Sequence, residues 1–163
     1  MNEDIKDLDL NQLDKIDRRI LEILQENGSI SNLDLSKEIG LAASSCLLRV
    51  KSLKEKGYIK KIIAKVDAHK LGYEVEAFLR IQLKSLTRDA IDNFLDLISQ
   101  IPQVTECYMT TGEGTFLAKI IAKNLQDYYD IILDKITSIN AVNNVETSIV
   151  IKTEKLTNCI PIN

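Results

Sequence analysis

Ser45, Arg49, Ser52 and Lys56 recur every three or four residues, with Ser44, Leu48 and Lys51 beside them, inside the stretch from Gly40 to Lys65. On a helix of about 3.6 residues per turn, that spacing puts short hydroxyls and long cations along one side. Such a face suits one kind of chemistry: hydroxyl and guanidinium groups reach base edges, while ammonium groups neutralise phosphate oxygens. Residues 42–65 hold seven basic side chains (Arg49, Lys51, Lys54, Lys56, Lys60, Lys61 and Lys65) against the single acid Glu55. The whole chain nevertheless carries a net charge of −3. One basic island on an acidic chain indicates a directed contact with a polyanion, with Lys51, Lys56, Lys60 and Lys61 on phosphate.

Three predicted helices must hold that face. Leu13, Ile16, Ile20, Ile23 and Leu24 recur at helical spacing, with Asp14 as the opening cap and Asn27-Gly28 as the stop. Ser31, with Asp34 three residues on, opens a short second helix through Ile39, and Gly40-Leu41 ends it in a tight turn. The third helix runs from about Ala43 to Lys56 and stops at Gly57. On its inner side Cys46, Leu47, Val50, Leu53 and the stem of Lys54 share an arc of about 120°. A short helix, a glycine turn and a helix with a cationic outer face make a helix-turn-helix. The alternative is a solvated basic face on an ordinary three-helix core. Residues 58–66, YIKKIIAKV, favour the former: they read as β-ribbon with three more lysines and no acid, the wing of a winged helix-turn-helix.

The run from Leu13 to Asp67 resembles the N-terminal domain of the Lrp/AsnC family of leucine-responsive and feast/famine regulators. The resemblance is carried by Leu13-Asp14, Asp17, Ile20-Leu21, the segment Ser31 to Leu41, Cys46-Leu47, Arg49-Val50, Leu53 and Gly57 through Ile59. It joins spacing, turn glycine and third-helix residues over more than fifty positions. One departure stands at the entrance to the third helix, where Ala42-Ala43 replaces the family's Ser and Pro. The resemblance implies a regulator of transcription, acting on genes of amino-acid metabolism in response to a small-molecule effector.

Beyond residue 66 the pattern changes. Residues 67–73 read as a linker containing the lone His69, and Glu74 to Leu83 as a strand with Val75, Ala77, Leu79, Ile81 and Leu83 on one side. Arg88 to Ile101 is a helix, Val104 to Thr110 and Thr115 to Ala122 are strands joined at Gly112-Glu113-Gly114, Leu125 to Ile139 is a helix, and Val145 to Thr153 is the last strand. The order βαββαβ predicts an α+β chain: a winged helix-turn-helix domain (1–66) joined to a ferredoxin-like domain (74–163). Phe78, Tyr108, Phe116 and Ile149 cannot all share the helix-covered side of the sheet. Two chains are therefore expected to pack sheet against sheet, with palindromic half-sites on double-stranded DNA as the counterpart of that two-fold. The resemblance agrees on a homodimer and implies further assembly into tetramers or octamers.

Gly112-Glu113-Gly114 can be a plain tight turn, and lacks the third glycine and following helix of a dinucleotide site. By resemblance it is the family's effector loop, whose Gly-x-x-Asp-Tyr/Phe-Leu pattern is met by Gly112, Phe116 and Leu117. Glu113, Gly114 and, more weakly, Thr147 fall at the same implied site, and Thr115 stands where the family prefers Asp. A neutral hydroxyl cannot give an ammonium group the charge-assisted bond of a carboxylate, so another acid such as Glu113 has to hold it if the effector is an amino acid.

Other classes find little material. Cys46, Cys107 and Cys159 are odd in number and form no CxxC pair, against a disulfide framework or structural zinc. One His and no nucleophile paired with a base argue against an enzyme, and no cofactor or metal site is expected. No apolar run reaches the roughly 18 residues of a membrane span, and the acidic start is unlike a secretory signal, so the cytoplasm is expected and no membrane partner. An architectural protein that coats DNA without sensing an effector is the remaining alternative, separated from a regulator by its ratio of specific to non-specific affinity.

Overall fold

The computed structural model describes residues 13–111, 115–157 and 159–162. The chain forms two compact units, one built from the described residues up to Lys65 together with those from Lys155 onward, the other from Val66–Glu154. None of the described helices is long and apolar enough to cross a membrane.

The first unit holds α1 (Lys15–Glu26), α2 (Asn32–Glu38) and α3 (Ala43–Glu55). The first two starts have a local cause. Asp14 accepts a hydrogen bond from the Asp17 N–H at 2.8 Å at the head of α1, and Ser31 accepts one from the Asp34 N–H at 3.1 Å at the head of α2. Gly40 sits between α2 and α3 at φ 67°, a conformation costly to any residue with a Cβ. Ile20, Ile23, Leu35, Cys46 and Leu53 are buried between the three helices, with Ile16, Leu24, Val50, Tyr58 and Ile59 packed around them. Leu47 departs from the expected inner arc: at 100° from Cys46 on α3 it faces outward and is 57% exposed.

The segment expected as the β-ribbon of the wing forms no ribbon among the described residues. Residues 58–66 carry no strand assignment, and the sheet contains no strand of the first unit. A ribbon needs a partner strand to accept its ladder of hydrogen bonds, and none of the described segments before β1 supplies one. The segment instead runs extended past the α1–α2 loop. A Cβ at Gly28 would stand 2.9 Å from Ile62 Cγ2, so glycine is required for that approach.

The second unit opens with a 3₁₀ turn at His69–Leu71 and continues as β1 (Val75–Leu83), α4 (Arg88–Ser99), β2 (Val104–Met109), β3 (Thr115–Ala122), α5 (Leu125–Asp130) and β4 (Val142–Ile149). The strands form one antiparallel sheet in the order β2-β3-β1-β4, so the βαββαβ expectation holds. Alternation separates the faces. Ala77, Leu79, Ile81 and Leu83 of β1 and Phe116, Ala118, Ile120 and Ala122 of β3 are buried with Phe94 and Ile98 of α4 and Ile131 and Ile136 after α5. Phe94 and Phe116 pack with ring centroids 4.7 Å apart, tilted at 48°.

Two boundaries moved. The helix expected over Leu125–Ile139 turns α-helical only to Asp130, then widens into a π turn over Ile131–Ile136, closed by the Thr137 N–H donating to the Ile132 carbonyl at 2.9 Å. Bonding five residues apart brings Ile131 and Ile136 onto one face, and both are buried there. The last strand, expected over Val145–Thr153, occupies Val142–Ile149, because a strand extends only as far as its partner. A register shift after Gln82 pairs Leu83 with Val142, and the Val150 N–H donating to the Glu76 carbonyl is the last rung.

The tail from Lys155 returns to the first unit, where the Gln25 carboxamide grips the Ile160 backbone in both directions, accepting from its N–H at 2.7 Å and donating to its carbonyl at 3.1 Å.

Candidate nucleic-acid interface

The turn between α2 and α3 is stiffened from both sides. Asn32 Nδ2, in the first turn of α2, donates to the Ala43 carbonyl at 2.8 Å, and the Leu41 N–H donates to the Ser36 carbonyl at 2.9 Å. The first contact ties the entrance of α3 to α2 but does not replace a cap, since the N-cap Ala42 offers no side-chain acceptor to the free N–H groups there. The start of α3 is thus held by α2 rather than by its own cap, and the helix begins at Ala43 as expected.

Along α3 the expected contact residues divide. Ser44, Ser45, Leu48 and Lys51 are exposed and Ser52 is half-buried; Lys56, just past the helix, is exposed, as are Lys60 and Lys61 in the extended segment. Lys51 has only a long ion pair to Glu55, 3.7 Å, with both side chains mostly in solvent, a contact worth little against a phosphate. Lys54, Lys60 and Lys61 line a shallow recess floored by Ile59 and Ile62, which binds the helix end and the extended segment into one cationic surface. Lys54, Ile59 and Ile62 were not singled out for this surface from the sequence, because only the fold back of residues 59–62 onto the end of α3 brings them together.

Arg49 does not belong to that free surface. Its Nη1 donates to Asp14 Oδ2 at 2.7 Å and to Asp17 Oδ1 at 2.8 Å, closing α3 onto the first turn of α1. Two carboxylates compete with any base for this guanidinium, which ties α3 to the head of α1. Asp14 is doubly used, with Oδ1 capping α1 and Oδ2 on Arg49. Its carboxyl lies below the usual carboxylate range, first through the Asp17 N–H and then through Arg49, against the opposing effect of partial burial. Single-helix periodicity cannot reveal such a clamp, because its members belong to helices separated by about thirty residues of sequence.

In the second unit, Gly112, Glu113, Gly114 and the side chain of Thr115 lie outside the described residues. Phe116 is fully buried against Phe94 and belongs to the core. Thr147 is exposed on the edge strand β4, opposite Leu79. Phe78, Tyr108 and Leu117 share the sheet face away from the helices and are all exposed. Beside them Lys119 bridges to Glu76 at 3.1 Å with its Nζ 5.9 Å above the Phe78 ring. Ile149 is exposed for another reason: it pairs with Ala77 on the helix side but stands on the uncovered edge. Burial pushes the Cys46 and Cys107 thiols up, away from nucleophilic use, and among the described residues no group of three His, Cys, Asp or Glu is placed to hold a metal.

Comparison with known proteins matches residues 13–60 to a winged helix-turn-helix DNA-binding model and residues 76–159 to the Lrp/AsnC ligand binding domain. The transcriptional regulator AzlB of Bacillus subtilis is 49% identical over 150 residues, which span 92% of this chain and 96% of that protein. A leucine-responsive regulatory protein of Rhizobium meliloti is 35% identical over 144 residues, 88% of this chain and 92% of its own. Among solved structures, a transcriptional regulator of Neisseria meningitidis in complex with L-Met superposes with a TM-score of 0.88 at 31% identity, covering 93% of this chain and 97% of that one.

Because Asp14 ionises more readily folded than unfolded, its stabilisation is present above the unfolded value near 3.8 and is lost as pH falls through the lower folded value. Arg49→Ala is expected to destabilise the first unit by about 1 kcal/mol at neutral pH, the scale of two partly exposed ion pairs. Asp14→Asn should lack the increment at every pH, so wild type and variant begin to draw together as pH falls below about 4 in urea titrations followed by circular dichroism. Curves that stay parallel down to pH 3 would remove the clamp from the account.

Proposed function

The chain belongs to the Lrp/AsnC family of transcriptional regulators, and from that premise we propose that it binds specific operator sites in double-stranded DNA and controls genes of amino-acid metabolism in response to a small-molecule effector. The observation that carries the DNA reading is the cationic surface running from Lys51 through Lys54 and Lys56 to Lys60 and Lys61, on a chain otherwise acidic. Ser44, Ser45, Leu48 and Ser52 face the base edges, and Lys51, Lys56, Lys60 and Lys61 meet phosphates. Each lysine that meets a phosphate releases counterions, which makes binding steeply salt-dependent. The setting is the cytoplasm. The match to a ligand binding domain favours this reading over an effector-independent DNA organiser, which would bind all sequences nearly alike.

The active form is a homodimer, assembling further into tetramers or octamers, with two helix-turn-helix units on palindromic half-sites. Phe78, Tyr108 and Leu117 on the open sheet face support this, since three large apolar side chains on one antiparallel face are suited to sheet-on-sheet packing. The effector is an amino acid or a relative of one. Support comes from a solved neighbour complexed with L-Met and a relative named leucine-responsive. Thr115 in place of the family's Asp points to an altered or weakened grip on the ammonium group.

Lys60→Ala and Lys61→Ala should each weaken binding to specific and random duplexes alike and reduce the slope of log affinity against log salt by roughly one. An unchanged slope in both would detach this surface from DNA. Sedimentation at micromolar concentration should give a dimer or a multiple of it, and a monomer would overturn the sheet-packing proposal. Thr115→Asp should enlarge the thermal shift produced by an amino acid in a screen of the common twenty. If wild type and variant respond identically to all of them, the loop is no effector site.

A further inference from the structure

Withdrawal of Arg49 leaves an unusual surface on α3. Ser44, Leu47, Leu48 and Lys51 follow the spacing i, i+3, i+4, i+7 and therefore form one stripe, opposite the buried Cys46, Val50 and Leu53. The centre of that stripe is apolar: Leu47 is 57% and Leu48 67% exposed, with a serine at one end and a lysine at the other. Arg49, the one guanidinium on this helix, is held by Asp14 and Asp17. The helix thus presents no free guanidinium to a guanine edge, and offers two branched hydrocarbon side chains at the centre of its stripe.

We propose that Leu47 and Leu48 are specificity-determining residues that read the C5-methyl groups of thymine in the major groove. The inference rests on the DNA-binding function proposed above and deepens it, adding Leu47 and a chemical identity for the bases. In the major groove the thymine methyl is the apolar group that projects furthest from the base edges, so it is the group a leucine can bury at least cost. Against guanine O6 and N7, the same leucines would strip water from acceptors and return no hydrogen bond, a penalty on the wrong base. The serine and lysine flanking the pair fit this role, Ser44 offering a short donor or acceptor to a neighbouring base and Lys51 a phosphate contact. A second copy of this chain is a poorer occupant of the stripe, since Lys51, Lys54 and Lys56 ring it and two such faces would repel.

The test uses the full-length protein. Binding duplexes are selected from a random pool, and each thymine of a selected site is then replaced singly by deoxyuridine, which removes the methyl and leaves base pairing intact. Wild type should lose about fourfold in affinity at one or two thymines per half-site, the scale of one buried methyl. At those positions the loss should vanish in Leu47→Ala or Leu48→Ala, each relieving the position its own leucine reads. Both leucines are exposed, so the variants should melt with the wild type. Selected sites indifferent to every thymine methyl would overturn the proposal through the wild-type protein alone, as would methyl losses that persist unchanged in both variants. Leucine variants that change sedimentation and leave the methyl dependence intact would place these side chains in a protein contact instead. Failure of the DNA-binding reading itself looks different: no sequence is enriched, and residual binding does not respond to salt.

Discussion

The clamp of Arg49 on Asp14 and Asp17 is the constraint on which the N-terminal unit depends. Five buried hydrophobic side chains among the described residues are little material for orienting three helices. Hydrophobic packing is non-directional and leaves a helix some freedom to roll about its axis. A guanidinium held by two carboxylates at 2.7 and 2.8 Å fixes the roll of α3 against α1, because the donor geometry of arginine is rigid. With the roll fixed, the stripe Ser44, Leu47, Leu48 and Lys51 must face solvent. The clamp also explains how α3 starts without a capping side chain: its N-terminus is tied to α2 through Asn32, and the turn following Ser45 is tied to α1 through Arg49.

The second unit is organised by alternation instead. Its sheet is buried on one face by residues two apart on β1 and β3, and the same period places Phe78, Leu117 and Tyr108 on the other. A one-residue slip between β1 and β3 would exchange these sets and put Lys119 beneath the helices, at the cost of burying a charge. The polar partners of the open face fit the same register. Lys119 sits opposite Phe78 and reaches Glu76, and the Tyr108 hydroxyl donates to Glu106 at 2.7 Å. That face is amphipathic, with apolar side chains alternating with charged ones such as Arg80 and the paired Lys119 and Glu76.

Most of this architecture was legible in the sequence, because it follows from periods and caps that act within a few residues. Asp14, Ser31 and the glycine between α2 and α3 announce the helix-turn-helix, and alternating β1 announces the sheet. What was not legible needed tertiary partners. Arg49 lies on the polar side of α3 and looks like a base reader until α1 places two acids beside it. Leu47 looks like core by its type, yet the three-helix core is filled by Cys46, Val50 and Leu53 without it. Phe116 matched an effector pattern, but its register opposite Ile81 turns it into the core. The strand limits of β4 and the π turn after α5 answer to β1 and to the buried face respectively, which no local signal encodes.

The two units are also joined more closely in sequence than a single linker implies. The chain leaves the first unit at Lys65 and re-enters it at Lys155. Both crossings arise at one end of one strand pair, since the start of β1 and the end of β4 are joined there by the Val150 N–H on the Glu76 carbonyl at 2.8 Å. Beyond that pair the tail is gripped by Gln25, in the last turns of α1, through two backbone hydrogen bonds. The helix carrying the acids of the Arg49 clamp at its head therefore carries the C-terminal tail at its foot.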